Sequence, residues 1–227
     1  MKAKVNTLFA LSLLAFAPAG FAQYTVTLTG VGDGAVSNGV YVSPYVGNIQ
    51  QSGSTIYTGY MICDDFTTES YLNKPWSATE TASGALNGTQ KFGSVMFQGT
   101  TYTAQQAYNA ASWLALQLVL PSNVTNPTNQ TNYSFAIWNI FDNGQASSSA
   151  AVTALENTAF TNYDNVAQST VSVYTPSLSN PKGTNQSQEF LVVNPTAAPE
   201  IDPASAASAM TLLLGGLVVF RGRRVRA

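Results

Sequence analysis

The sequence predicts an α+β fold: a β-rich secreted domain with a two- to three-helix insertion, followed by one C-terminal transmembrane helix. Three observations predict this fold class. The first half of the chain alternates polar and apolar residues between turns rich in Gly, Asn and Ser, which is typical of short strands. A helical spacing of apolar residues replaces this alternation at Thr103, and an uncharged apolar run lies close to the C-terminal end.

The predicted strands of the first half form a meander. Tyr24 to Thr29 alternates with period two and runs into a glycine turn, while Val40 to Val46 and Thr55 to Cys63 are rich in β-branched and aromatic residues. Short polar segments separate these runs, as expected of loops between neighbouring strands. Weaker strand signals follow at residues 91–92 and 95–97.

Three helices and a final strand pair are predicted in the second half. Apolar residues keep a helical spacing from Thr103 until Pro121 ends the run, and a loop is expected from Ser122 to Asn132. Two further helices are expected at Tyr133 to Phe141 and Ser149 to Tyr163. The last strands are expected at residues 169–174 and 189–193.

The N-terminus has the pattern of a secretory signal peptide over residues 1–22. Two lysines precede the apolar run Val5 to Ala17, and Gly20 and Ala22 take the small positions of a cleavage site. This pattern predicts export through the Sec translocon and cleavage by signal peptidase, which leaves Gln23 as the first mature residue. An uncleaved N-terminal anchor is the alternative.

The C-terminal end has three parts in series. Residues 196–203 form a proline-stiffened acidic linker, residues 204–220 carry no charge, and residues 221–227 form a basic tail. As a helix the uncharged run reaches about 26 Å, near the lower limit for spanning a bilayer. All arginines of the chain lie in the tail, which is typical of a cytoplasmic flank and a stop-transfer signal: Arg221, Arg223, Arg224 and Arg226.

Pro199, Glu200, Ile201, Asp202 and Pro203, with the apolar run and basic tail behind them, resemble the PEP-CTERM sorting signal of Gram-negative bacteria. In this variant the second proline arrives later than in the plain Pro-Glu-Pro form. The resemblance implies recognition by exosortase, a transpeptidase-like membrane protease. It also implies an inner-membrane precursor with a single span, and a mature protein in the cell envelope or on the extracellular surface. An ordinary anchor that no enzyme processes is the alternative.

The composition of the predicted domain at residues 23–195 excludes several functions. This segment contains three lysines, no arginine and nine Asp or Glu residues. Because its net charge is negative, we expect no binding to nucleic-acid phosphates. The chain has no histidine, which removes imidazole-activated nucleophiles and imidazole-bound metals. We therefore expect no catalytic residue, no metal and no cofactor. Carboxylate-pair hydrolysis, a Ser/Lys arrangement and an autocatalytic cross-link remain open.

The densest group of reactive side chains lies between Tyr60 and Phe66. Cys63 is the one cysteine of the chain, and its apolar neighbours predict a buried, structural thiol. The adjacent Asp64 and Asp65 either bind Ca²⁺ or cap a turn through backbone amides, and their spacing fits no Ca²⁺ loop, which favours the cap. Trp76, in a predicted loop, is the candidate for an exposed ring that stacks on a sugar.

Cys63-Asp64-Asp65-Phe66 followed by Trp76 resembles a pattern common in the body of PEP-CTERM proteins. Together with Ala136-Ile137-Trp138, it also distantly resembles the thioester domains of bacterial surface adhesins. That resemblance implies a cysteine on a strand condensed with a glutamine four residues before a helical tryptophan. The matching position here is Ser134, which cannot form the bond. A thioester would then need another glutamine in a different geometry: Gln105, Gln106 or Gln117.

Three functions follow from these observations. The favoured one is a non-enzymatic envelope or matrix protein that acts in adhesion or in a biofilm, with exopolysaccharide as a candidate ligand. The second is a carboxylate-dependent glycan hydrolase, in which Asp64 or Asp65 pairs with a distant acid. Glu69, Asp142 and Asp164 are the candidates for that acid. The third is a thioester-type covalent adhesin that uses Cys63.

Overall fold

The computed structural model describes residues 23–142, 146, 148–166, 170–177 and 187–194. Ten strands and four α-helices form this part of the chain. The strands are β1 (Gln23–Gly30), β2 (Val36–Ser37), β3 (Val40–Tyr41), β4 (Tyr45–Gln51), β5 (Ser54–Cys63), β6 (Trp76–Ala82), β7 (Val95–Phe97), β8 (Thr100–Tyr102), β9 (Val171–Pro176) and β10 (Phe190–Val193). The helices are α1 (Ala104–Leu118), α2 (Pro121–Val124), α3 (Pro127–Asp142) and α4 (Ala150–Asn162), and a 3₁₀ turn follows at Tyr163–Asn165.

Six of the strands close into an antiparallel barrel in the order β1, β4, β5, β10, β9, β6, with β6 paired back to β1. Two short hairpins, β2–β3 and β7–β8, lie beside it. Closure gives each barrel strand a neighbour on both sides, although β10 covers only Ile62 and Cys63 at the end of β5. The chain therefore builds its sheet from segments that are far apart in sequence.

The interior of the barrel follows from the alternation of the strands. In β1 the side chains of Tyr24, Val26 and Leu28 are buried, and the intervening threonines are only half-buried. At Gly47 in β4 a Cβ atom would lie 2.7 Å from the carbonyl oxygen of Thr27. Because no side chain fits there, glycine allows β1 and β4 to approach closely.

The helices form an insertion between β8 and β9 that packs on the barrel. A capping box at Thr103 and Gln106 begins α1, with Thr103 N donating to Gln106 Oε1 at 2.9 Å. Helix α1 packs against α3, α4 and β10, and α3 also contacts β5. The insertion thus lies against the two barrel strands that carry Cys63 and Phe190.

The mixed α and β composition and the insertion of helices between β-rich segments are as the sequence predicts, but the insertion has four α-helices where two or three are predicted. The predicted loop at Ser122–Asn132 is wrong, because α2 begins at Pro121 and α3 begins at Pro127. Proline is well suited to the first turn of a helix, where its missing N–H has no partner to lose. Residues 91–92 are not a strand, and the predicted strand at 40–46 is divided between β3 and β4.

Several predicted segments lie outside the described residues. They are the signal peptide at 1–22, the linker and sorting motif at 196–203, the transmembrane helix at 204–220 and the basic tail at 221–227. Among the helices that the structure describes, none is both long and apolar enough to cross a membrane.

Candidate functional site

The candidate site lies where β5 ends, at three consecutive residues with no exposed surface. Cys63, Asp64 and Asp65 are each 0% exposed. Cys63 N donates to Ser43 Oγ at 3.0 Å, and Ser43 N donates to Ser134 Oγ at 2.9 Å. Ser43 therefore lies between Ser134 and Cys63. The hydroxyl group of Ser134 accepts the hydrogen bond of the buried Ser43 amide.

The thiol of Cys63 is held in its protonated form. Its Sγ donates a hydrogen bond to the backbone carbonyl oxygen of Asp65 at 3.1 Å. Burial raises the pKa of Cys63 well above its usual value, and the neighbouring carboxyl groups of Asp64 and Asp65 raise the pKa further. Because the thiolate is the nucleophilic form, the buried thiol is slow to react with reagents from solvent.

Gln188 shares the hydrogen-bond acceptor of that thiol. Its Nε2 donates to the Asp65 carbonyl oxygen at 2.9 Å, and its backbone N donates to Ser70 Oγ at 2.9 Å. The strand register brings Gln188 close to the end of β5, because β10 is antiparallel to β5 with Phe190 opposite Cys63. The thiol and the side-chain amide thus share one acceptor oxygen. Gln188 is half-buried, so its amide is closer to the surface than the thiol.

Gln188 is not among the site residues that the sequence predicts. The available signal was its position directly before the last predicted strand, but the partner of that strand could not be read from the sequence. The three glutamines that were considered have other contacts. Gln105 Oε1 accepts from Leu86 N at 3.0 Å, Gln106 caps α1, and the backbone carbonyl of Gln117 accepts from Asn123 Nδ2 at 2.8 Å.

Asp64 faces a second buried carboxyl group, that of Glu189, and we call these two residues the inner acid pair. Glu189 is 0% exposed and accepts hydrogen bonds from Tyr108 Oη, from Thr175 Oγ1 and from Lys91 N, the last at 3.1 Å. No described donor reaches the oxygens of Asp64, so its contact with Glu189 needs a proton on one carboxyl group.

The proton of the inner acid pair belongs to Asp64. Burial raises the pKa of both groups, and the charges of Glu189 and Asp65 raise the pKa of Asp64 further. The donors around Glu189 lower its pKa in part, so Glu189 is the carboxylate that they stabilise. Asp64 is therefore a neutral acid that donates to Glu189.

Asp65 lies in a different environment and forms an ion pair with Lys91, and we call these two residues the outer ion pair. Its Oδ1 accepts from Thr67 N at 3.1 Å, Thr67 Oγ1 at 3.2 Å and Thr68 N at 3.3 Å. Its Oδ2 contacts Lys91 Nζ and Thr68 Oγ1. Asp65 thus binds backbone amides as a turn-capping carboxylate does, whereas Asp64 does not.

The acids considered for a hydrolase do not form an open pair with Asp64. Asp142 Oδ2 accepts from Phe66 N at 3.2 Å, and burial raises its pKa. Glu69 is bound by the exposed Tyr71 at 2.7 Å, and Asp164 lies in the 3₁₀ turn. Within the described residues, no three or more Cys, Asp or Glu side chains are placed to hold a metal ion.

Trp76 does not provide the exposed ring that the sequence suggested. It begins β6 rather than lying in a loop, is 4% exposed, and packs against Phe190 with ring centroids 5.7 Å apart. Trp138 is also buried and packs against Phe66. The exposed aromatic side chains among the described residues include Tyr41, Tyr60 and Tyr71.

No protein-family model matches the chain, and no curated protein matches it. Two solved structures from Streptococcus pyogenes are similar to it. The N-terminal domain of the pilus tip adhesin Cpa is 12% identical with a TM-score of 0.41, and the match covers 77% of this chain and 93% of that chain. The N-terminal thioester domain of the fibronectin-binding protein SfbI is 11% identical with a TM-score of 0.40, and the match covers 77% and 94%.

Proposed function

We propose that the protein is an exported surface adhesin whose domain forms an internal thioester between Cys63 and Gln188. The observation that carries the proposal is the shared acceptor, since Cys63 Sγ and Gln188 Nε2 lie 3.1 Å and 2.9 Å from the same Asp65 oxygen. A thiol and a side-chain amide held in this way are the two reactants of thioester formation. A thioester is one of the functions that the sequence leaves open. Its glutamine is here Gln188, and not Gln105, Gln106 or Gln117.

The condensation balances without a further reactant. The sulfur of Cys63 bonds to Cδ of Gln188, the bond from Cδ to Nε2 breaks, and the thiol proton leaves with the nitrogen as ammonia. An amine or hydroxyl group of a target then attacks Cδ and returns the thiol to Cys63. Because Gln188 is half-buried while Cys63 is fully buried, the carbonyl carbon is the end of the bond that a target can reach.

This chemistry makes the protein an adhesin and not an enzyme. Each thioester reacts once, and the target stays attached to Gln188. The inner acid pair does not resemble the carboxylates of a glycan hydrolase, because both of its members are 0% exposed and offer no groove for a sugar. Amine-bearing surface proteins and hydroxyl-rich exopolysaccharide are the target classes that fit.

The mass of the full-length protein purified from its native host tests the thioester. Condensation removes ammonia, so the peptides that contain Cys63 and Gln188 together lose about 17 Da relative to the sequence. Cys63→Ala and Gln188→Ala each abolish the loss. Gln117→Ala is the matched control, since Gln117 has no contact with Cys63, and it keeps the loss. An unmodified wild-type mass, with Cys63 free, would contradict the proposal.

We also propose that the PEP-CTERM signal delivers this domain to the cell envelope. The signal-peptide pattern at 1–22, the Pro-Glu-Ile-Asp-Pro motif and the arginine tail support this route. Changing Glu200 and Pro203 to alanine should leave the protein unprocessed in the inner membrane, while Thr211→Ala, inside the apolar run, should not. Unchanged fractionation of the double variant would exclude processing by exosortase.

A further inference from the structure

We propose that Lys91 and Asp65 form an intramolecular isopeptide bond, so that the outer ion pair is the precursor of a covalent cross-link. Lys91 Nζ contacts Asp65 Oδ2 directly. The Asp65 side chain is 0% exposed and that of Lys91 is 21% exposed, so bulk water has little access to the reacting atoms. This bond uses neither Cys63 nor Gln188, and it forms at the side chain of Asp65 and not at the carbonyl oxygen that those two residues share.

The two oxygens of Asp65 have the division of roles that acyl transfer requires. Oδ1 has three donors, Thr67 N, Thr67 Oγ1 and Thr68 N, at 3.1 to 3.3 Å. Two backbone amides and a hydroxyl group on one oxygen stabilise the negative charge that develops there when a nucleophile attacks the carbon. Oδ2, by contrast, lies beside the amine and Thr68 Oγ1, where protons are available to a leaving oxygen.

The lysine is held in place by its own surroundings. Lys91 N donates to Glu189 Oε2 at 3.1 Å, which fixes the backbone. Nζ lies 5.4 Å from the centroid of the Phe92 ring, and Phe92 stacks on Phe141 with centroids 4.6 Å apart. Reactive groups held together in this way reach effective molarities of about 10⁵ to 10⁸ M, enough to outweigh the hydrolysis that water favours for a free amine and acid.

The step is a condensation that needs no co-reactant. Lys91 Nζ passes a proton to Oδ2, and its lone pair attacks Cγ of Asp65 while charge collects on Oδ1. A second proton moves from Nζ to Oδ2, the bond from Cγ to Oδ2 breaks, and one water molecule leaves. The product is an amide between Nζ and Cγ, which ties the turn after β5 to the segment before β7.

Trypsin digestion of the denatured full-length protein tests the bond. Trypsin cleaves after a lysine only when its amine is free. Lys74 is followed by proline, which resists cleavage, so Asp65 and Lys91 belong to one peptide in any case. We expect no cleavage after Lys91 and a single peptide that extends to Lys182. After methylamine has opened the thioester, the mass of this peptide should be about 18 Da below the sequence mass, because water is lost.

Two lysine variants keep the test independent of folding. Lys91→Arg keeps the positive charge beside Asp65 but its guanidinium does not condense, so cleavage at position 91 and the full mass should return. Lys74→Arg changes an exposed lysine and should keep the loss of water. Complete cleavage after Lys91 in the wild-type protein, with an unmodified peptide mass, would overturn the inference. So would a peptide in which Lys91 is joined to Gln188 with loss of ammonia, since that product arises from the thioester.

Discussion

The inner acid pair and the outer ion pair begin at neighbouring residues that are equally buried, yet their chemistry differs. Asp64 contacts another carboxyl group and stays neutral. Asp65 instead contacts the Lys91 amine and accepts hydrogen bonds from backbone amides and hydroxyl groups. Burial alone therefore does not decide the charge of a carboxyl group. The partners that the fold brings to it decide.

The two pairs also connect different parts of the fold. Glu189 of the inner acid pair is bound by Tyr108 from α1 and Thr175 from β9, so that pair joins the helical insertion to the barrel. Among the described residues, the side chain of Asp65 in the outer ion pair is bound by the turn that follows it and by Lys91. We infer that the inner acid pair stabilises the fold and the outer ion pair shapes the surface around Gln188.

Removing Glu189 should have the largest effect on stability. Glu189→Ala leaves three donors and the proton of Asp64 without an acceptor inside the domain, and we expect a loss of about 3 kcal/mol or more in the free energy of unfolding. Urea unfolding followed by tryptophan fluorescence measures it. Asp64→Asn is the matched control, because a neutral amide can still donate to Glu189, and it should cost less than about 1 kcal/mol. Equal losses in the two variants would contradict the assignment of the proton to Asp64.

Two threonine variants compare the pairs directly. Thr175→Val removes a buried donor to the Glu189 carboxylate and should cost about 2 kcal/mol, because hydrogen bonds to charged groups are the stronger ones. Thr67→Val removes one of three donors to Asp65 Oδ1 in a half-exposed turn and should cost less than about 1 kcal/mol. Both are measured by urea unfolding. The reverse order would show that the outer ion pair is the main stabilising group.

The inner acid pair should contribute to the pH dependence of stability, as should Asp142 and Glu156, whose pKa burial also raises. The folded pKa of Asp64 is raised above its unfolded value of 3.8, so the folded state keeps a proton that the unfolded state has lost. Stability is therefore fully present below about pH 4 and falls as pH rises through the folded pKa, by up to about 1.4 kcal/mol per pH unit. Asp64→Asn should flatten this slope in urea unfolding over the pH range that begins above about pH 4. A wild-type stability that rises over this range would contradict the shared proton.

Much of the fold could be predicted from local patterns. The alternation at Tyr24–Thr29 and the run at Thr55–Cys63 gave β1 and β5, because side-chain periodicity is a property of the segment itself. Closure of the barrel could not be predicted, since it depends on pairing between distant strands. The burial of Trp76 could not be predicted, because the preceding Pro75 is typical of a loop and the ring becomes buried only when β6 pairs with β1 and β9.

The candidate site was predicted in part. Cys63, Asp64 and Asp65 stand together in the sequence and were singled out for that reason. Gln188 and Glu189 were missed because they belong to a segment far along the chain, and only the register between β5 and β10 brings them to Cys63. The spacing between glutamine and tryptophan led to Ser134 instead, which contacts the cysteine strand through Ser43 but has no amide to condense.

Counting free thiols tests the central claim most directly, because Cys63 is the one cysteine in the chain. The full-length protein is denatured in acid and its thiol is titrated, before and after incubation of the native protein with methylamine. We expect almost no free thiol before incubation and about one per chain afterwards, since the amine opens the thioester at Gln188 and releases Cys63. One free thiol per chain before incubation, with no change after methylamine, would show that Cys63 and Gln188 lie side by side without a bond.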